Sequence, residues 1–436
     1  MIKPLKDPLK IIIVNYRYFI SGGPEKYLFN ITEVLQKNGH TVIPFSVKNP
    51  QNTPSAYEPY FINPVSKANE VYFSEYDKSN PVSLFRSFFR MYYSFEAKKK
   101  LDRLIREVKP DIIYVLHYQN KISASIFDAA KKNKVPVVHR VSDFGQICSN
   151  ALFYRPRQQD ICERCLTGSK VNAIRNKCVH DSYLYSAIKA GAVRFQQVLN
   201  ISKKINAFVV PSRFTIEKLG AYGFPPEKLV HIPTFFNNNS VTAGQPINYK
   251  PFAVYIGRIE PEKGLATLVR AFENTGYNLK IIGFSTSGYD EQLKKYLEGK
   301  THHIEFLGKK PFSEIQAFLA ECAFTIVPSE CYDNFPNTIL ESFAFSKCVV
   351  ATGIGSLREL VIDQETGLLF TLKDSADLRQ KIDYLFRHTE QCRSMGQKGF
   401  EKLNTDYAEE KHYNKLMGVF ESSIGTYPQP FKSIPK

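Results

Sequence analysis

The polarity pattern of the chain alternates between two periods from end to end. Short apolar, β-branched runs such as "KIIIV" at 10–14 and "FAVYI" at 252–256 are separated by longer stretches whose apolar residues recur at helical spacing. That alternation predicts parallel strands covered by helices on both faces of a sheet, and it places the chain in the α/β class. In the first half the runs predict strands over 10–14, 41–46, 111–116, 135–141 and 207–210; in the second half over 252–256, 278–282, 303–306, 323–327, 348–351 and 368–370. Between them "FFNNNSVTAGQPINYKP" is rich in Asn and has no apolar periodicity, so it reads as a joining loop with its hinge within 237–249. The expected organisation is a first doubly wound domain over 1–240 and a second over 250–405. A last helix within 406–424 is able to pack back on the first domain, and 425–436 is a tail. The stretch 83–107 carries apolar residues at helical spacing with basic residues between them. It reads first as a helix facing the core, with a helix resting on an anionic membrane as the alternative.

A length of 436 residues fits two large domains. The apolar run after the first basic residues is too short for a signal-peptide core, and none later approaches the ~18 residues of a membrane span, so a cytoplasmic setting is expected. Lys and Arg total 58 against 42 Asp and Glu, a formal charge of +16 that favours polyanions, anionic lipid headgroups or phosphorylated substrates. Neither a nucleic-acid reading module nor aromatic residues interleaved along a basic groove can be made out, so no nucleic-acid partner is expected.

Open parallel sheets bind ligands beyond the carboxyl ends of their strands, where helix N-termini favour anions. Four predicted loops on one edge of the second domain carry matched chemistry. They are "GRIEPEKG" with Arg258 and Lys263, "GFSTSG", "TGIGS", and "SECYDNFPNTILES" with Asp333 and Glu341. Cations and small residues suit a diphosphate, and a carboxylate can accept both hydroxyls of a ribose diol. A nucleoside diphosphate sugar combines the two. In the first domain Gly22 and Gly23 open a helix after the first strand and permit close approach to phosphate, while His117 ends another strand. Singly, each feature is equally a solvated cation, a turn or a structural histidine.

Seven segments in order, from "GGPEKYLFNITEVLQKNGHTV" through "KPDIIYVLH", "FVVPSRFTIEKLGAYGFPPEKLVHIPTFFN", "GRIEPEKGLATLVRAFE", "FLGKKPFSEIQAFLAECAFTIVPSE" and "YDNFPNTILESFAFSKCVVAT" to "GSLRELVIDQETGLLF", resemble retaining GT-B glycosyltransferases of the family 4 type, the large group containing bacterial mannosyl- and glucosyltransferases. The resemblance implies two Rossmann-like domains facing across a cleft. It also implies transfer of a sugar from a nucleoside diphosphate donor to a glycan or lipid-linked acceptor, as in surface polysaccharide assembly, with peripheral contact at the inner face of the cell membrane. By it, Arg258 and Lys263 hold the diphosphate, Glu341 the ribose, and Gly22 and Gly23 approach the phosphates. Asp333, with Asn334, Phe335, Pro336 and Asn337, faces the transferred sugar, and His117 lies near it. No metal is required for transfer. Two departures stand out: Asp333 occupies a position where the family has Glu, and Ser142 one where many relatives have His. They leave open a second reading, a non-catalytic sugar-nucleotide-binding subunit.

Cys148, Cys162, Cys165 and Cys178 form C-x13-C-x2-C-x12-C within an insertion spanning about 144–182. This set reads either as thiolates on a structural zinc or as ordinary thiols.

Overall fold

A computed structural model describes residues 8–64, 89–237 and 248–426. Most of the expected hinge and most of the tail, 238–247 and 427–436, lie outside the described residues.

The first sheet contains β1 (Lys10–Asn15), β2 (Thr41–Phe45), β3 (Ile112–His117), β4 (Val137–Arg140), β5 (Ala207–Val210) and β6 (Leu229–His231). The second contains β7 (Phe252–Ile256), β8 (Asn278–Ile282), β9 (His303–Gly308), β10 (Phe324–Val327), β11 (Val349–Thr352) and β12 (Gly367–Phe370). All pairings in both are parallel, in the orders β2-β1-β3-β4-β5-β6 and β9-β8-β7-β10-β11-β12. β1 shows why such strands read as continuous apolar runs: Ile12 and Val14 join the core on one face of the sheet, Ile11 and Ile13 the core on the other.

The five strands expected in the first half become six. β6 is three half-buried residues at the sheet edge, too short for an apolar run to announce it. The insertion adds a two-stranded ribbon, Tyr154–Arg155 with Asp160–Ile161. The stretch expected as one helix over 83–107 is interrupted. Residues 83–88 lie outside the described residues, and a separate helix, Phe95–Val108, starts at Ser94, whose side chain accepts from the Ala97 N–H. Its Ala97, Leu101, Leu104 and Ile105 face the core, so this helix has the core-facing role and not the membrane-resting one.

Three helices position the site. Helix α1 (Gly23–Lys37) follows β1 with Pro24 in its first turn; α2 (Asn337–Ala344) follows β10. Helix α3 (Glu409–Gly425) returns from the second domain to the first, where Leu416, Met417, Val419 and Phe420 pack with Leu28, Ile31 and Tyr114. His412 fixes it there, its Nε2 2.9 Å from the Tyr27 hydroxyl and its Nδ1 2.7 Å from the Pro233 carbonyl oxygen. Among the described residues no helix is long and apolar enough to cross a membrane.

Candidate functional site

The second sheet reverses its strand order between β7 and β10, the switch point at which open parallel sheets form a crevice beyond their strand ends. A cleft of about 480 Å³ opens there against the first domain. The second domain lines it with Arg258, Lys263, Asp333, Asn334, Phe335, Pro336, Asn337 and Glu341, and the first domain with Gly22 and Gly23. Every sequence-predicted donor residue is therefore brought to one crevice. His117 does not line it. Ser142 does, and its hydroxyl donates to the carbonyl of Leu116, the residue before His117, at 2.9 Å.

The loop after β7 is shaped by backbone. Gly264 adopts a φ of +71°, and a Cβ there would lie 1.9 Å from the Pro328 carbonyl oxygen. That close approach sets Lys263 against the loop after β10, where its ammonium donates to Asp333 Oδ1. Burial alone would lower the Lys263 pKa, but the Asp333 carboxylate more than reverses this and raises it above the ordinary lysine value. The Tyr255 hydroxyl donates to the Arg258 carbonyl at 2.6 Å, and the Arg258 guanidinium pairs with Glu262 at 3.0 Å. Glu260 ties this loop to "GFSTSG": its Oε1 accepts from both the N–H and the hydroxyl of Thr286 at 2.7 Å.

Glu341 points inward from α2 with its side chain 8% exposed, and its partner comes from the other domain: Lys26 of α1 donates to Oε1 at 2.7 Å. Asn337 Nδ2 faces the Gly23 carbonyl at 3.4 Å, and a Cβ on Gly23 would lie 3.1 Å from that nitrogen. A side chain at Gly23 would therefore require Asn337 to give way by a few tenths of an ångström. Sequence reasoning missed Lys26, Arg140, Lys309 and Lys310, all of which line the cleft. Arg140 at the end of β4 is nearly buried, its guanidinium 3.9 Å from the Tyr27 ring centroid and donating to Thr234 Oγ1 at 2.7 Å. Its position at a strand end was the available signal. The lining carries six cations, Lys26, Arg140, Arg258, Lys263, Lys309 and Lys310, against the carboxylates Asp333 and Glu341, an excess that favours an anionic occupant.

His117 Nε2 lies 3.0 Å from Asp143 Oδ2, and its Nδ1 is buried without a hydrogen-bond partner among the described residues. Burial would raise the Asp143 pKa, but His117 and the Gly145 N–H hold it below the ordinary value.

The four cysteines of the insertion are free thiols. Burial first, then neighbouring Cys148, Cys165 and Cys162, push the Cys178 thiol up to about 12. Four thiols suit zinc chemically. As placed, no group of three Cys, His, Asp or Glu side chains among the described residues is arranged to hold a metal, so binding would have to draw the sulfurs together.

Two doubly wound parallel sheets facing across a basic cleft define the GT-B architecture. The chain belongs to Glycosyltransferase Family 4: that family's pattern matches residues 21–239, and Glycosyl transferases group 1 matches 242–402. An uncharacterized glycosyltransferase of Methanocaldococcus jannaschii is 36% identical over 175 residues, 39% of this chain and 48% of that protein, so the match spans about half of the relative's length. A capsular polysaccharide biosynthesis glycosyltransferase of Staphylococcus aureus, CapM, is 20% identical over 55% of this chain and 65% of its own. Among solved structures, Anabaena HepE in complex with UDP and glucose superposes with a TM-score of 0.64 at 16% identity, covering 95% of this chain and 100% of that one.

Proposed function

We propose that the protein transfers a sugar from a nucleoside diphosphate sugar to a glycan or lipid-linked acceptor with retention of anomeric configuration. The observation that carries this reading is the convergence of Arg258, Lys263, Asp333 and Glu341 from one domain and Gly22 and Gly23 from the other on a single cleft. In it, Arg258 and Lys263 neutralise the diphosphate, and their fixed charges act most strongly as the leaving phosphate gathers negative charge. Glu341 accepts from the ribose hydroxyls, and Asp333 from hydroxyls of the transferred sugar. The acceptor hydroxyl attacks the anomeric carbon on the face the diphosphate leaves. Its proton passes to the departing phosphate oxygen as the new C–O bond forms and the old one breaks, so retention needs no protein nucleophile.

The UDP- and glucose-bound HepE supports a nucleoside diphosphate sugar donor, and the capsular relative supports surface polysaccharide as the setting. The net charge of +16 supports peripheral contact with an anionic membrane bearing a lipid-linked acceptor. The test is incubation with UDP-, GDP- and ADP-sugars and candidate acceptors. Acceptor-dependent release of nucleoside diphosphate, a product whose anomeric configuration by NMR matches the donor, and loss of release in Arg258→Ala are the expected results. Tight donor binding with no release from any pair would instead make the chain a non-catalytic binding subunit.

A further inference from the structure

The loop that carries Asp333 is held alternately by the two domains. Tyr332 reaches out of the second domain and seats among rings of the first. Its ring centroid lies 4.6 Å from that of Phe214 and 6.0 Å from that of Phe153, and Phe144 closes the group at 5.0 Å from Phe153. Tyr332 thereby packs on the first-domain core. Asp333 turns back to its own domain, to Lys263, and Ser356 Oγ donates to its carbonyl. Asn334 crosses again: its Oδ1 accepts from Thr215 Oγ1 at 2.7 Å, and its Nδ2 donates to the Val141 carbonyl at 2.9 Å. Two members of this aromatic socket, Phe144 and Phe153, belong to the cysteine-rich insertion, and the neighbouring Gln159 carbonyl accepts from Lys373 of the second domain.

We propose that Tyr332 is a positioning residue that couples domain closure to the placement of Asp333, and that the insertion exists in part to supply its socket. This rests on the role given to Asp333 above. A carboxylate one methylene shorter than the family's Glu has less freedom to find a sugar hydroxyl, and pinning its loop on both sides places it without that freedom. With the lobes closed, as in this structure, Tyr332 braces the Asp333 loop from the first domain; on opening, Lys263 and Ser356 alone would hold it.

The chain contains no tryptophan, so Tyr332→Trp introduces a single reporter at the socket. Its emission is expected to be blue-shifted in the nucleotide-bound protein and to move to the red when Phe153→Ala or Phe214→Ala is added. Solvent-like emission indifferent to both would overturn the proposal. Kinetically, Tyr332→Ala and Phe153→Ala are each expected to lower kcat ~10-fold, the scale of one lost aromatic pair, with donor affinity by calorimetry unchanged. Tyr332→Phe should restore kcat, and the double alanine variant should fall no further than either single one. Equal losses in kcat and in donor affinity, or additive losses, would also overturn it. Should the wild-type protein transfer no sugar at all, the catalytic reading fails, while the fluorescence still decides whether Tyr332 seats in the socket.

Discussion

The ion pair between Lys26 and Glu341 makes a sharp prediction, because the ammonium occupies the carboxylate assigned to ribose. The pair is asymmetric: Glu341 is 8% exposed at its side chain and Lys26 35%, at 2.7 Å. Exposed pairs contribute up to ~1 kcal/mol, and loss of one partner of a fully buried pair costs ~3–5 kcal/mol, so this half-buried case should stabilise the empty protein by about 1–2 kcal/mol. Lys26→Met removes the charge but keeps a stem over Phe312, whose ring centroid lies 4.1 Å from the ammonium. The unliganded variant should melt ~2–6 °C lower. Because ribose hydroxyls would satisfy Glu341 equally in both proteins, saturating nucleoside diphosphate should close that gap, and the variant should bind it up to ~10-fold more tightly. Differential scanning fluorimetry with and without ligand, together with calorimetric titration, measures both. Weaker nucleotide binding by Lys26→Met, or a melting gap that widens with ligand, would refute the reasoning and make Lys26 a donor ligand.

Replacing Asp333 by Asn leaves the mostly buried Lys263 ammonium without its counter-charge, so denaturant titration should show a loss of ~2–4 kcal/mol and sugar transfer should fall at least ~100-fold. His139 and His412 are buried, which holds their pKa values down to about 4 and about 3. Below pH ~6.5 the unfolded chain takes up protons that the folded protein refuses, so stability falls as pH drops, by about 2 kcal/mol for each histidine at pH 5. His412→Phe should flatten that slope in urea titrations run from pH 7 to pH 5. If the insertion binds zinc, protein prepared without chelator should carry ~1 zinc per chain, lost together with several degrees of melting temperature in Cys162→Ser; metal-free protein whose melting temperature Cys162→Ser leaves unchanged would leave the insertion held by packing alone.

Much of the fold was legible because parallel strands buried on both faces leave unbroken apolar runs, as in Ile11 to Val14 and Phe252 to Ile256. β6 was not, since three edge residues carry too little pattern. Arg258, Lys263 and Glu341 could be found because a strand end followed by a helix fixes where a side chain must point. Lys26 and Tyr332 escaped for a different reason. Each acts on the domain to which it does not belong, and the meeting of two separately folded surfaces leaves no periodicity in either segment. His117 shows the converse: a strand-end histidine is easy to notice, yet it pairs with Asp143 instead of lining the cleft.

Helix α3 has a consequence for how this molecule can be divided. The chain joins the lobes twice, once between Asn237 and Asn248 and again where the Phe236 N–H donates to the Tyr407 carbonyl, so the N-terminal lobe is assembled from two distant pieces of polypeptide. Cutting after the Asn-rich joint would strip Leu28, Ile31 and Tyr114 of their cover and yield an aggregating fragment, whereas grafting 409–425 onto the shortened chain should give a soluble lobe. That return of the chain joins the lobes a second time at Phe236 and Tyr407, which limits how far they can separate.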